Sequence, residues 1–300
     1  MIPYGIPPPS YSHPGKERMM IITITKRHMR RHILVLLLLA FLAIACDTRL
    51  KTVFYPIETE KLSKPVRLAL ITDLHACQYG RQQTKLLNAV HRQNPDAVLL
   101  GGDIFDDQRG YDNAAIAVQA LAAAYPCYYV TGNHEYWSED VTAILDIVRS
   151  AGATVLQGSY ASLSVNGQTI QICGVDDPEM EARPPYGPSL SQQLAALTPA
   201  LNTHIYTILM AHRPELVKSY LQYPFDLIVS GHAHGGQWRI PGILNGLYAP
   251  HQGLFPPYAG GKYEFGNRSL IVSRGLARES TLIPRIFNRP ELVILDLTPT

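Results

Sequence analysis

Five times in this chain an apolar, β-rich run stops at residues able to ligate a metal. The runs at 66–72, 96–100, 127–130, 204–211 and 225–229 lead in turn to Asp73-Leu74-His75, Gly101-Gly102-Asp103, Gly132-Asn133-His134-Glu135, His212 and Ser230-Gly231-His232-Ala233-His234-Gly235-Gly236. Apolar runs of this length ending at glycine read as short buried strands. Open α/β sheets place their ligands just beyond the carboxyl ends of their strands. Imidazole and carboxylate together are the donors of a first-row transition-metal site. A single His-x-His pair could be two polar residues in a loop, but five such endings call for a fold that brings strand ends together.

The elements between these motifs narrow that fold. Leu86, Leu87 and Val90 give residues 82–93 helical spacing, and Pro95 ends it. An Ala-rich helix is expected over 113–124. Another is expected from Ser138, read as an N-cap with Glu139 and Asp140 in its first turn, to about residue 150. Strand, helix, strand, helix, strand in succession implies parallel strands with crossover helices. After Gly152 the pattern changes. Segments 153–156, 161–165 and 169–174 alternate, with Asn166-Gly167 a hairpin signal, so a second, more antiparallel sheet is expected. Residues 191–200 read as helix, 270–273 and 291–297 as closing strands. Residues 235–267 read as one long irregular stretch, a length that marks function or mobility.

Composition sets outer bounds. Of 300 residues, 46% are hydrophobic and 17% charged, which suits a large core and excludes global disorder. The net charge of +2 argues against a nucleic-acid partner. Residues 1–45 hold six Lys/Arg against one Glu, so the rest of the chain is mildly acidic. Cys46, Cys77, Cys127 and Cys173 form no CxxC, which argues against a thiolate zinc site; the last three read as free buried thiols.

The basic part is a leader. Residues 33–45 are apolar without interruption and follow Arg30-Arg31-His32. They are short for a membrane span, which needs about 20 residues, and suit a signal-peptide core. Ala43 and Ala45 before Cys46 resemble a bacterial lipoprotein signal, and Asp47 resembles the signal that retains such proteins at the inner membrane. Arg30-Arg31 also reads as a weak twin-arginine signal. An uncleaved anchor helix is the alternative, and Met29 could be the true start. The expected division is a leader and hydrophobic signal or anchor over 1–46, a connector over 47–64 and one catalytic domain over 65–300. The domain is expected at a bacterial membrane, exported, with the cytoplasmic face left open.

Taken together, Asp73-x-His75, Gly102-Asp103, Gly132-Asn133-His134-Glu135, His212 and Gly231-His232-x-His234 resemble, in order and spacing, the calcineurin-like metallophosphoesterases over residues 66–300. The resemblance implies an α/β fold, a four-layer α/β/β/α sandwich of two mixed sheets flanked by helices. It implies two divalent metal ions, one held by Asp73, His75, Asp103 and His234, the other by Asp103, Asn133, His212 and His232. The donor set suits Mn, Fe or Zn and admits Mg. His134 resembles the family's phosphate-contacting residue that assists the leaving group, with a metal-bridging hydroxide as nucleophile. Asp106 and Asp107 read as supporting groups, Glu135 as an orienting one, and His251 as an ordinary loop residue. Arg239 and Arg274 are candidates for substrate binding, with structural pairing equally open; so is Arg213.

The block 231–241, Ser273-Arg274-Gly275-Leu276 and 284–291 resemble a membrane-associated bacterial subgroup that includes enzymes similar to UDP-2,3-diacylglucosamine pyrophosphatases of lipid A synthesis. The resemblance implies a phosphodiester or pyrophosphate substrate, lipid-linked or of the envelope; a monomer is expected. Apolar side chains at 238–258 could line an acyl groove or pack the loop onto the core. A phosphomonoesterase or protein phosphatase is one alternative; a membrane-tethered metal-binding protein without turnover is another.

Overall fold

The computed structural model describes residue 5 and residues 14–138, 140–278 and 284–300, with only the backbone of 14–25 and 27. Glu139, expected in a helix first turn, lies outside them. The chain divides into two units, Met1–Ala45 and Cys46–Thr300. The first carries helix α1 (Pro14–Ala45), which extends the expected apolar segment back through the basic stretch. Its last 18 residues, His28–Ala45, are long and apolar enough to cross a membrane.

The second unit opens with β1 (Lys51–Thr59), β2 (Val66–Ile71), α2 (Thr84–His91), β3 (Ala97–Gly101), α3 (Asp112–Ala124), β4 (Cys127–Val130), α4 (Asn133–Trp137), α5 (Val141–Ser150) and β5 (Thr154–Val155). It continues with β6 (Ser159–Val165), β7 (Gln168–Gly174), α6 (Glu179–Ala182), α7 (Leu190–Leu197), β8 (Tyr206–Met210), α8 (Val217–Tyr220) and β9 (Leu227–Ser230). The short pair β10 (Tyr248–Ala249) and β11 (Gly253–Leu254), the hairpin β12 (Gly261–Phe265) and β13 (Arg268–Val272), and β14 (Glu291–Pro299) complete it.

Two six-stranded sheets result, ordered β1-β14-β2-β3-β4-β5 and β12-β13-β9-β8-β7-β6. Both are mixed. β2 to β5 run parallel, while β14 is antiparallel to β2. β7, β8, β9 and β13 run parallel, with β6 and β12 antiparallel at the two edges.

Alternation along each strand builds the layers. Leu68 and Leu70 of β2, Leu99 of β3, Ile170 and Ile172 of β7, Ile208 and Met210 of β8, and Leu227 and Val229 of β9 join one buried cluster between the sheets. Their neighbours Ala69, Ile71, Val98 and Leu100 turn the other way, onto Leu86 and Val90 of α2, Val118 and Leu121 of α3, and Ile144 and Val148 of α5. On the far side Leu209, Ile228 and Cys173 pack with Leu194, Leu197, Val217 and Tyr220. Helices therefore cover both outer faces, which is why these strands read as continuous apolar runs instead of alternating ones.

Three local expectations are corrected. The connector expected over 47–64 contains β1, which pairs in parallel with β14 from Lys51↔Glu291 to Thr59↔Pro299. As a sheet-edge strand it sets buried Ile57 between exposed Pro56 and Glu58, and the proline inside its apolar centre masked it. The helix expected from Ser138 starts instead at Val141. Asp140 is its N-cap, accepting from the Ala143 N–H at 2.9 Å, whereas Ser138 closes α4. The stretch expected to be irregular over 235–267 holds β10, β11 and β12. The Asn166-Gly167 hairpin forms as expected, both residues taking positive φ of 54° and 76° between paired Val165 and Gln168.

Burial separates the consequences of mutation. Leu70→Ala, wholly inside the inter-sheet core, is expected to lose about 2–5 kcal/mol. Tyr160→Ala, on the exposed face of edge strand β6 at 49% exposure, should stay within about 0.5 kcal/mol of the parent. Denaturant midpoints for the two variants check this.

Candidate metal centre

The carboxyl ends of β2, β3 and β4 in one sheet and of β8 and β9 in the other deliver the residues singled out in the sequence. The backbone leaves regular structure there abruptly. Asp73, His75, Asp103, His232 and His234 all have φ between 47° and 65°, a left-handed region that non-glycine residues occupy only when surrounding contacts hold them. Two glycines make the approach possible. A Cβ on Gly132 would lie 2.2 Å from Asp103 Oδ1, and one on Gly231 2.5 Å from Asp73 Oδ2.

The donor atoms converge in two groups. Ligand atoms of Asp73, His75, Asp103 and His234 lie within 4.8 Å of one another, and so do those of Asp103, His212 and His232. Asp103 belongs to both. All six residues are buried, as is Asn133. Asp73 Oδ2, His75 Nε2, Asp103 Oδ2, Asn133 Oδ1, His212 Nε2 and His234 Nδ1 have no hydrogen-bond partner among the described residues, although nearly all buried polar atoms in proteins do. His212 Nε2 lies 3.0 Å from Asp103 Oδ2 without hydrogen-bond geometry. Lone pairs of carboxylate, amide and imidazole aimed at one space fit a divalent cation.

The other atoms of these side chains are spoken for, and that sets the chemistry of the free ones. His212 Nδ1 lies 2.9 Å from the Gly101 carbonyl, which only accepts, so Nδ1 carries a proton and Nε2 is the nitrogen a metal would take, on displacing any proton it holds. His75 Nδ1 lies 3.0 Å from Asp106 Oδ2, with the same result at its Nε2. Asp103 Oδ1 accepts from the His134 N–H, and Asp73 Oδ1 from the His232 N–H, both at 2.9 Å.

Two buried carboxylates impose a demand for positive charge. Burial opposes ionisation of Asp103, yet His212 beside it holds the carboxyl well below its usual range. Burial raises Asp73. Burial would also lower His212, but Asp103 and Asp73 overcome it and push the imidazole up to about 10. His232 and His234 go the other way, kept neutral first by burial and then by the neighbouring His212 and His75 respectively. A divalent cation would answer the same demand.

Glu135 is a brace. Its carboxylate accepts from the backbone N–H groups of Asp103, Ile104, Phe105 and Gly132 at 2.8–3.0 Å, and from the Tyr129 hydroxyl at 2.8 Å. It thereby ties the β3 loop to the β4 loop, as its orienting role implied. Asp106 and Asp107 are supports too: Asp107 Oδ1 lies 2.6 Å from His134 Nδ1. His134 stands edge-on to His75, ring centres 4.3 Å apart, and keeps 20% of its side chain exposed.

The arginines expected at the substrate are engaged within the protein. Arg274 bonds to Glu291 at 3.2 Å and to Asn245 and Gly260. Arg239 bonds to Asn245 through Nε at 2.9 Å, and Arg213 makes two 2.7 Å bonds to Asp177. A buried guanidinium needs such partners, and the sequence does not show which carboxylates are near. Conversely, His251, read as an ordinary loop residue, places Nδ1 2.9 Å from His232 Nε2, ring against ring. No spacing signal announces a contact made by a returning loop. Cys77 is packed, with the Arg109 guanidinium 3.3 Å from its sulfur.

The profile of the calcineurin-like phosphoesterases matches residues 66–236. An uncharacterized metallophosphoesterase of Bacillus subtilis, YkuE, is 27% identical over 245 residues, covering 78% of this chain and 79% of its own. Phosphodiesterase YaeI of Escherichia coli is 27% identical, covering 78% and 82%. A transmembrane protein with a metallophosphoesterase domain from Danio rerio is 33% identical, covering 67% of this chain and 48% of its own. The matched span holds every residue of the two donor groups, from Asp73 to His234, and on that evidence the chain belongs to the calcineurin-like phosphoesterase family, a family of hydrolases.

Proposed function

We propose that this chain is a two-metal phosphodiesterase acting on a phosphodiester or pyrophosphate that is lipid-linked or belongs to the cell envelope. The observation that carries the reading is Asp103, shared by two donor groups in which every member but His232 keeps one buried polar atom without a partner among the described residues. Asp73, His75, Asp103 and His234 would hold one ion, and Asp103, Asn133, His212 and His232 the other, with Mn, Fe or Zn suited to the donors and Mg admitted. Such a pair supplies Lewis-acid polarisation of phosphoryl oxygens and acidifies water near neutral pH. His134 works beside it. Its Nδ1 is engaged by Asp107, so Nε2 is the nitrogen left to meet a phosphoryl oxygen and to pass a proton to the departing alkoxide. Its partial exposure suits a residue that must reach substrate.

Several observations support a phosphodiester substrate that is lipid-linked. His28–Ala45 can cross a membrane by length and composition, and the phosphodiesterase relative is named for diester cleavage. The segment that follows His234 also leaves apolar side chains in solvent. Ile243 is 85% exposed, Leu254 66% and Phe255 65%, with Trp238, Ile240 and Tyr248 about half exposed. They do not pack the loop onto the core, and the same segment carries His251 beside His232. An acyl chain is the kind of partner that covers such side chains. Export of the domain, with Cys46 lipidated or α1 kept as an anchor, is consistent with the exposed Cys46 thiol.

The test is hydrolysis of bis-p-nitrophenyl phosphate and p-nitrophenyl phosphate by the full chain in detergent with added Mn. Diester turnover is expected, with His134→Ala slower by about 10²–10⁴-fold and Asp103→Asn without turnover and depleted of metal. Monoester activity alone would turn the reading to a phosphomonoesterase, and bound metal without any turnover to a binding protein. Metal also links to stability. Chelation should lower the unfolding temperature and Mn restore it, by an amount worth about 2.7 kcal/mol when free metal is 100 times its Kd, because the buried carboxylates lose their counter-charge. Thermal melts with and without chelator read this directly.

A further inference from the structure

Arg285 is a buried cation whose guanidinium tip meets no partner among the described residues. It is 4% exposed, and both terminal nitrogens, Nη1 and Nη2, lack a hydrogen-bond partner among the described residues. Burying an unpaired charge is among the most destabilising things a protein can do, and a native fold keeps such a group only when something supplies the opposite charge. Arg213 and Arg274, the other buried arginines discussed above, show the ordinary solution, each paired to a carboxylate. Arg285 has none.

Its position is fixed by the backbone around it. Ile286 donates to the Gln237 carbonyl at 3.1 Å and accepts from the Arg239 N–H at 3.0 Å. Asn288 Nδ2 donates to the His234 carbonyl at 2.7 Å and to the Gln237 carbonyl at 3.2 Å. Residues 285–288 are thus stitched to the turn that carries His234. The electrostatic surroundings agree. Arg285 contributes, after burial and His75, to keeping His234 neutral, and Tyr79, Asp73, Glu291 and Cys77 are the groups that favour its own charge. Asp73 and His234 are both donors of the same candidate metal group, so Asp73 is already committed when that group is filled.

We propose that Arg285 is the oxyanion-binding arginine of this site, taking a phosphoryl oxygen of the substrate, and of the inorganic phosphate that competes with it, by paired N–H···O bonds beside the metal group of Asp73 and His234. A planar guanidinium with two free terminal nitrogens matches a tetrahedral oxyanion, which a point charge does not. Arg285 is in this reading a substrate-contacting residue, far from His134 in sequence. The phosphoryl class of ligand rests on the two-metal phosphodiesterase reading; the anion site itself rests on the unpaired guanidinium.

The experiment uses the full chain in detergent, loaded with Mn, and inorganic phosphate as the probe. Phosphate binding is measured by calorimetry and by the rise in unfolding temperature, alongside kcat and KM for bis-p-nitrophenyl phosphate and metal content by elemental analysis. Arg285→Gln and Arg285→Lys are expected to keep their metal and to weaken phosphate binding by roughly 10–100-fold, the loss typical of a charge-assisted pair. KM should rise in both, with Lys recovering only part of the loss. Arg285→Met keeps the bulk without the charge. It should melt no lower than the parent without phosphate and gain little from phosphate. Unchanged phosphate affinity and KM in folded, metal-loaded Gln and Lys variants would overturn the proposal, and so would loss of folding in all three, which would make Arg285 structural. If the parent hydrolyses no phosphodiester yet binds phosphate through Arg285, the catalytic reading fails and the anion site stands.

Discussion

The structure turns on a carboxylate in a place where carboxylates are expensive to keep. Asp103 is 1% exposed where the two sheets come together at their strand ends. One of its oxygens accepts from the His134 backbone, and the other faces His212 and His75 with no hydrogen bond. An isolated buried carboxylate would take up a proton. This one stays ionised because imidazoles converge on it, and those imidazoles come from both sheets. The charge requirement and the packing of two sheets are therefore one constraint: the inter-sheet core brings β2 to β4 against β8 and β9, and the strand ends then share one counter-charge.

Glu135 converts that arrangement into a rigid one. A single buried carboxylate gathers four backbone N–H groups from two loops that would otherwise leave them unsatisfied. The loops hold strained left-handed residues, and strain of this kind persists only when surrounding contacts outnumber it. Asp106 and Asp107 extend the brace outward, each orienting one imidazole. Support of this sort around metal donors matters as much as the donors do, since it selects which ring nitrogen is free.

Motif positions and strand ends were legible without coordinates because both follow local rules. A buried parallel strand is a short apolar run, and its polar ending stands out against it. The β6–β7 hairpin was legible for the same reason, since Asn-Gly favours the turn wherever it occurs. β1 was not legible: as an edge strand it buries only Ile57 fully and carries Pro56 mid-strand, which reads as a break. Asp140 replaced Ser138 as the helix cap because both residue types cap equally well and only the geometry of the preceding α4 decides between them.

What the sequence determined by itself was chemistry in order: seven donor residues of three types after five apolar runs, a leader basic and then apolar, and a family to which that order belongs. What only the tertiary structure decided was company. It shared Asp103 between two donor groups, gave Arg274 to Glu291 and Arg213 to Asp177, set His251 against His232, and left Arg285 buried with no partner among the described residues. These are contacts between residues far apart in the chain, and no local propensity encodes them. They arise when strands order themselves in two sheets and their loops are brought to one edge, a result of packing the whole core.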